Sequence, residues 1–233
     1  MGADVVIAVT GLKREAAMLK GPGVRAIAGG GDRARLGALL EEACAEARGV
    51  ISIGLGGALA PGLKPGDWVV AGSVIAEGER LATDPAWTAR LVGGLPGARA
   101  GAIAGSATPV ADAAAKAALH ASTGALAVDM ESHIAARAAA RHGLSFAAAR
   151  TISDAAGRAL PAAALAGMRS DGAMDVGAVL AALARRPWEL PALILTAMEA
   201  EAAFRALLRG RELLGGALVG PGPDLGELVL DVG

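Results

Sequence analysis

The sequence predicts an α/β fold of three layers, in which helices cover both faces of a central, mixed and mostly parallel twisted sheet. Short apolar runs alternate with stretches of helical periodicity, which is typical of parallel strands joined by covering helices. The length of 233 residues suits one domain, 1–233, with a substantial core. Aromatic residues make up only 2% of the chain, so its many alanines and glycines predict close packing of helices on the sheet.

The strands are predicted from apolar runs bounded by turn residues, and the helices from periodicity and caps. The predicted strands are residues 4–9, 24–28, 50–54, 67–75, 99–106, 126–128 and 144–151. The predicted helices are residues 32–48, 109–122, 130–142, 175–185 and 187–209. Residues 210–233 are rich in glycine and proline, and we assign no structure to this tail.

Charge and composition exclude several classes of protein. The net charge is −1 and the pI is about 6.3, so no general attraction for nucleic acid is expected. The longest uncharged stretch, 49–63, is short and broken by glycine and proline, which argues against a transmembrane segment. Without an export or lipid signal in its first residues, and with Cys44 as its single cysteine, the chain is expected to be cytoplasmic. The histidines have no metal-ligand spacing, and no metal is predicted.

A glycine-rich stretch, 54–72, follows the third predicted strand. It does not fit the dinucleotide-binding fingerprint, because Leu59 occupies the third glycine position and Pro61 and Pro65 prevent the following helix. Two interpretations of Gly56 and Gly57 remain open. Their backbone either approaches a ligand closely or forms a tight turn between strands.

A second glycine turn, 29–31, precedes a predicted helix that carries Arg33 and Arg35. Free amides and the positive end of a helix dipole can hold an anion, so Gly30, Gly31 and the two arginines are candidates for a phosphate site. Arginines on a solvent-facing helix explain the pattern equally well.

Two carboxylates, Glu131 and Asp154, each lie just past a strand-like run. In an open α/β sheet the carboxyl ends of the strands share one rim, so side chains distant in sequence can converge on one ligand. Taken singly, Asp154 could equally cap a helix, and Glu131 could face a helix dipole in a first turn.

Several strings occur in an order that identifies a family. They are Gly11 to Glu15, residues 54–70, Met130-Glu131, and Arg150 to Asp154. In this order they resemble the nucleoside phosphorylase and nucleosidase superfamily, whose members cleave N-glycosidic bonds, and its methylthioadenosine/S-adenosylhomocysteine nucleosidase branch. The strings VTGLKREA, AGGGDRARL and VDMES most resemble the hopanoid-associated phosphorylases within that superfamily.

The resemblance implies roles for the residues of these strings. Glu131 would accept hydrogen bonds from the two ribose hydroxyls, and Met130 would pack against the sugar. Asp154 would protonate the leaving base, which requires a pKa well above the ordinary value of about 3.9. Ser153 and Arg150 would orient Asp154.

The resemblance extends to the base pocket and the nucleophile. Val110 and Phe146 would line the purine pocket, although Phe146 in a buried strand needs no further reason than packing. Glu15 matches the glutamate that activates water in the nucleosidases, which leaves hydrolysis open.

The implied reaction is phosphorolysis of adenosylhopane, a 5′-substituted adenosine, with inorganic phosphate as co-substrate and no cofactor. Hydrolysis of a similar nucleoside and non-catalytic nucleoside binding are the alternatives. A homo-oligomer, most simply a dimer, is expected. The chain between Glu15 and Gly29 is shorter than in the nucleosidases, so the wall facing the 5′ substituent is expected to be open. The loop 156–172 is expected to close over the base.

Overall fold

The computed structural model describes residues 5–215 together with Leu218 and Gly220. Within these residues the strands of the sheet are β1 (Val5–Thr10), β2 (Val24–Ala28), β3 (Ala47–Ala58), β4 (Trp68–Ala76), β5 (Glu79–Ala82), β6 (Arg99–Gly105), β7 (Ala127–Asp129) and β8 (Ser145–Asp154). The helices are α1 (Lys13–Leu19), α2 (Arg33–Cys44), α3 (Pro85–Gly94), α4 (Ala113–Thr123), α5 (Ser132–Arg141), α6 (Ala162–Ala166), α7 (Val176–Arg185) and α8 (Leu190–Leu214), with a 3-10 turn at Pro187–Glu189.

Every predicted strand is present, with β3 much longer than the predicted 50–54. The predicted helix 32–48 ends at Cys44, because the chain from Ala47 onward pairs with β1. The predicted helix 109–122 begins only at Ala113, where Asp112 caps the amides of the first turn. The predicted helix 187–209 opens as a 3-10 turn and continues to Leu214.

The sheet is mixed and mostly parallel, as predicted. The parallel neighbours are β1 with β2 and β3, β3 with β8, β4 with β6, and β6 with β7. The antiparallel neighbours are β3 with β7, β4 with β5, and β4 with β8. Strand β3 pairs with β8 along one edge and with β1 and then β7 along the other, so the ladders close into a ring of β3, β8, β4, β6 and β7.

The central strands are buried on both faces, which produces the three layers. In β1, Ile7 and Val9 join a core with α2 and α5, while Val6 and Ala8 join a second core with α1, α3 and α8. Helix α5 contributes mainly alanines to the first core, so it approaches the sheet closely. Cys44 is buried in that core, as expected of a small hydrophobic residue.

Among the described residues, no helix is long and apolar enough to cross a membrane. Of the predicted tail, residues 210–214 complete α8, and residues 216–217, 219 and 221–233 lie outside the described residues.

Candidate active site

The carboxyl ends of several strands meet over one short stretch of β3. Gly57 pairs with Val128 of β7 along one edge and with Asp154 of β8 along the other. Strand β7 runs antiparallel to β3, so the chain leaving it carries Glu131 back toward the ends of β1 and β2. The structure therefore brings the two predicted carboxylates to the same part of the sheet.

The glycines of β3 lie within the strand and make room for charged side chains. A Cβ at Gly54 would lie 2.7 Å from Glu15 Oε1, and one at Gly57 would lie 3.2 Å from Asp154 Oδ2. A Cβ at Gly56 would lie 3.1 Å from the side chain of Arg150. The tight-turn interpretation of Gly56 and Gly57 is therefore wrong, and their backbone approaches the ionisable groups of the site.

Glu131 is buried, with 7% of its surface exposed, and it directly precedes α5. Two glycine turns approach its side chain. A Cβ at Gly11 would lie 3.3 Å from Glu131 Oε1, and one at Gly29 would lie 3.1 Å from its Cγ. Glu131 therefore lies against the ends of β1 and β2, where small residues leave space next to its carboxylate.

The pKa of Glu131 is raised to about 8, mainly because burial disfavours the charged form of a carboxylate. The negative charges of Asp129 and Glu15 contribute to this increase, while the positive charge of Arg150 opposes it. Arg150 Nη2 lies 4.0 Å from Glu131 Oε2. At neutral pH, a pKa of about 8 favours the protonated form, and a cationic ligand would favour the ionised one.

A buried network of polar side chains, which was not predicted from the sequence, lies next to Glu131. Asp129 Oδ1 accepts hydrogen bonds from the backbone amides of Glu131, at 3.0 Å, and Ser132, at 2.9 Å, and so caps α5. Asp129 Oδ2 pairs with Arg150 Nε at 2.8 Å, and Arg150 Nη2 donates to Ser52 Oγ at 2.6 Å. The string Asp-Met-Glu-Ser after a strand is a cap signal that could have identified Asp129.

The position of Arg150 corrects one prediction. Its guanidinium belongs to the network of Asp129 and lies on the Glu131 side of the site, rather than orienting Asp154. Glu131 directly precedes the first turn of α5, but Asp129 supplies the cap and the Glu131 side chain makes no cap hydrogen bond.

Asp154 ends β8 and is 5% exposed. Ser153 Oγ donates to Asp154 Oδ1 at 2.7 Å, as predicted, and lies 3.2 Å from the carbonyl oxygen of Gly56. The ammonium of Lys116 donates to Asp154 Oδ2. Asp154 caps no helix, since the next described helix begins at Ala162. Lys116 was not predicted, because a single lysine in an alanine-rich helix gives no signal of burial.

Glu15 lies in the first turn of α1 and is 1% exposed. Its Oε2 accepts from the amide of Leu12 and its Oε1 from the amide of Leu55, both at 2.6 Å. Burial raises the pKa of this carboxyl, and the two amide hydrogen bonds and the charge of Arg150 oppose that increase. Glu15 thus joins α1 to β3 at the same site.

Of the three residues expected to contact the substrate, two lie near the site and one does not. Met130 lies against the second glycine turn, with its Cε 3.1 Å from where a Cβ of Gly31 would be. Val110 packs on the small apolar cluster that includes Val128, near the end of β7. Phe146 lies in the core at the start of β8, about 26 Å along the strand from Asp154 at roughly 3.3 Å per residue. The structure therefore does not bring Phe146 to the base pocket.

The turn at Gly29, Gly30 and Gly31 is not the open cradle that the sequence suggested. The amide of Gly29 donates to Thr10 O at 2.7 Å, and that of Gly30 to Gly11 O at 2.9 Å. The residues 170–172 cover this turn so closely that a Cβ at Gly30 would lie 2.2 Å from the chain. The expectation of free amides is wrong for Gly29 and Gly30.

Both candidate phosphate-binding arginines have protein partners. Arg33 Nη2 pairs with Glu77 at 2.9 Å on the surface, with 40% of its side chain exposed. Arg35 Nη1 donates to the carbonyls of Ala28, at 3.2 Å, and Gly29, at 3.3 Å. Arg35 is thus held at the glycine turn, while Arg33 faces solvent.

The segment 155–172 is held against the site at both ends. The amide of Lys13 donates to Gly172 O at 2.9 Å, and Lys13 Nζ pairs with Asp171 at 2.7 Å. At the other end, the amide of Leu160 donates to Ala111 O at 2.9 Å. This segment, which contains α6, borders both the Glu131 side and the Asp154 side.

The described residues contain no group of three or more histidine, cysteine, aspartate or glutamate side chains that could hold a metal ion. His120 Nδ1 lies 2.8 Å from Ala125 O, and His142 Nε2 lies 3.0 Å from Glu41. Both histidines therefore make local structural contacts.

Comparison with known proteins gives a family model and several solved structures. Residues 2–186 match the model described as the phosphorylase superfamily. A crystal structure of S-adenosylhomocysteine nucleosidase from Streptococcus pyogenes superposes with a TM-score of 0.60 at 19% identity, covering 92% of this chain and 98% of that chain.

Two structures from Helicobacter pylori superpose similarly. 5′-Methylthioadenosine/S-adenosylhomocysteine nucleosidase gives a TM-score of 0.65 at 14% identity, covering 94% of this chain and 99% of that one. Futalosine hydrolase gives 0.63 at 15% identity, covering 93% and 97%. At these identities the structures share the fold. No curated protein sequence matches the chain.

Proposed function

The chain belongs to the phosphorylase superfamily, and from this membership we propose that it cleaves the N-glycosidic bond of a purine nucleoside. The observation that carries the proposal is the position of two buried carboxylates at neighbouring strand ends: Asp154 pairs with Gly57 of β3, and Glu131 follows Val128, which pairs with the same glycine. Two acidic side chains of different environment in one site are suited to two different tasks in one reaction.

The reaction separates charge, and Glu131 serves the positive side. As the bond between ribose and base lengthens, positive charge develops on the sugar, so groups that stabilise this charge accelerate the step. The ionised carboxylate of Glu131 accepts hydrogen bonds from the two ribose hydroxyls and stabilises the cationic sugar. Burial raises the pKa of Glu131 and disfavours its charged form, and the positive charge that develops on the sugar lowers this pKa and favours the ionised carboxylate.

Asp154 serves the leaving base, which takes the electron pair of the broken bond. General acid catalysis by a positioned carboxyl group protonates a ring nitrogen of the base. Ser153 fixes one oxygen of Asp154 and the ammonium of Lys116 contacts the other, so the group has a defined orientation. Met130 packs on the sugar, and Val110 borders the base.

For the substrate we propose a 5′-substituted adenosine with a large apolar substituent, adenosylhopane, cleaved by phosphorolysis. The short connection between Leu19 and Val24 supports an open wall for such a substituent. Met168 and Met174, 45% and 56% exposed, supply apolar surface in the segment that covers Gly30. Phosphate would be held at the glycine turn by Arg35 and Arg33, after Arg33 leaves Glu77.

Hydrolysis is the second candidate, and the position of Glu15 favours it. Glu15 is buried next to Gly54 and Leu55, and its charge raises the pKa of Glu131. A carboxylate so close to the proposed sugar site could accept a proton from an attacking water.

Adenine release with and without phosphate distinguishes these reactions. Purified protein is incubated with adenosine, methylthioadenosine and an adenosine with an alkyl 5′ substituent, and adenine is measured by chromatography. Phosphorolysis predicts release only with phosphate, together with a ribosyl 1-phosphate. Release in phosphate-free buffer supports hydrolysis, whereas adenine binding without cleavage supports a binding module.

The variant Asp154→Asn tests the proton donor. Because a general acid acts chiefly in the transition state, kcat is expected to fall by roughly 10²–10⁴-fold, while KM changes little. Steady-state kinetics on the nucleoside that the wild type cleaves best measures both. Unchanged kcat in a folded Asp154→Asn variant contradicts the assignment.

A further inference from the structure

Helix α4 buries a lysine. All residues of this helix are described, and Lys116 is the one that is buried, with 0% exposure. The residue that α4 directs toward the end of β8 is therefore a lysine, where an apolar residue would be usual.

The ammonium of Lys116 has an acceptor for each of its three hydrogens. It donates to Asp154 Oδ2, to the carbonyl of Ala155 at 3.2 Å and to the carbonyl of Arg158 at 2.8 Å. Such a set of acceptors fits a charged ammonium that is held in one place.

Stability alone is a weak reason for this arrangement. Removing an ammonium and a carboxylate from water costs free energy that their attraction often fails to recover, so apolar residues of similar size pack as well or better. A buried ion pair at a reacting carboxylate is therefore better explained by the reaction than by the fold.

The ion pair places a proton of Lys116 against Asp154 Oδ2. The proton nearest to this carboxylate lies on Lys116, and it is already in a hydrogen bond to Asp154 Oδ2. When Asp154 passes a proton to a leaving base, the ammonium of Lys116 is therefore the nearest group that can supply this proton.

We propose that Lys116 is a positioning residue that acts through Asp154 and supplies the proton that the base receives. This inference rests on the function proposed above. As the glycosidic bond breaks, its electron pair moves to the base, Lys116 passes a proton to the carboxylate of Asp154, and Asp154 passes a proton to a ring nitrogen of the base. The two transfers move one net proton from Lys116 to the base and leave the carboxylate as it was. Lys116 becomes a neutral amine that solvent reprotonates after the base leaves.

Two substrates separate this role from a structural one. An ordinary purine nucleoside needs a proton on its leaving base, whereas its N7-methylated counterpart carries a cationic base that leaves as a neutral molecule. In Lys116→Met, kcat is expected to fall on the order of 100-fold for the first substrate and less than about threefold for the second. A merely structural lysine predicts equal losses on both substrates, and that result overturns the proposal.

A second variant retains the charge. Arginine does not give up its proton in proteins, so Lys116→Arg can still pair with Asp154 but cannot supply a proton. We expect the same selective loss on the ordinary nucleoside, and wild-type kcat in Lys116→Arg would refute proton supply. This variant also decides the matter if Lys116→Met fails to fold.

The control is Lys20→Met, which makes the same change at an exposed position and is expected to keep wild-type kinetics on both substrates. If the wild type cleaves neither substrate, the proposed function itself fails, and the role of Lys116 fails with it. If the wild type cleaves both and the Lys116 variants match it, only the role of Lys116 is wrong.

Discussion

Replacing Glu131 by glutamine changes how stability depends on pH. The folded protein raises the pKa of this carboxyl from 4.5 to about 8. Between these values the folded state binds a proton that the unfolded chain has released, so stability falls as the pH rises. The stabilising effect of the proton is complete below pH 4.5 and is lost as the pH approaches 8. Glutamine cannot ionise, so Glu131→Gln lacks this loss.

The size of the effect follows from the same pKa. At about 1.4 kcal/mol per pKa unit, an increase from 4.5 to about 8 corresponds to a ceiling of roughly 5 kcal/mol. Glu131→Gln and the wild type are therefore expected to be similarly stable near pH 4.5, and the variant to gain up to this amount by pH 8. The charge of Glu15 is one cause of the raised pKa of Glu131, so the repulsion between these two carboxylates is part of the measured difference.

Urea unfolding at pH 5, 6, 7 and 8, followed by tryptophan fluorescence, measures this difference. Trp68 and Trp87 are buried in the core and report on its loss. The control Glu42→Gln removes a carboxylate from the exposed face of α2. A difference between Glu131→Gln and the wild type that is independent of pH, or that favours the wild type at pH 8, would refute the reasoning.

Two other perturbations test the packing of the site. Gly54→Ala places a Cβ 2.7 Å from Glu15 Oε1 and is expected to cost about 1–3 kcal/mol in urea unfolding, whereas Gly72→Ala, with nothing within 4 Å of its Cβ, should be nearly neutral. Equal effects of the two substitutions would contradict the role of the β3 glycines. Adenine is expected to slow hydrogen exchange in residues 156–172, because this segment borders both carboxylates. Equal protection with and without adenine would remove its gating role.

The fold was predictable where burial on both faces left continuous apolar runs, as in β1, β3 and β8. Strand β5 was missed because it is a short edge strand with exposed side chains, so no apolar pattern marks it. Helices α1, α3 and α6 were also missed. Helix α1 has only seven residues and begins with charged ones, so it shows no clear apolar periodicity. Helix α3 could have been identified, because Asp84 followed by Pro85 is a typical helix start.

The positions of the two carboxylates were predictable because the carboxyl ends of parallel strands lie at the same edge of a sheet. This rule located Glu131 and Asp154, but it does not say which buried partner each carboxylate has. The pairing of Arg150 with Asp129 depends on the register of β8 against β3, and the approach of Lys116 depends on how α4 packs. Such contacts come from tertiary structure and leave no local pattern.

The roles of Glu131 and Asp154 can be tested in a crystal structure with an adenosine analogue whose base is joined to the sugar by a carbon–carbon bond. We expect both ribose hydroxyls within hydrogen-bond distance of Glu131, and the base against Asp154, in the same bound molecule. An analogue that contacts only one of these carboxylates would contradict this expectation. So would binding elsewhere, for example in the depression of about 410 Å³ on α8 beside Ile194 and Met198.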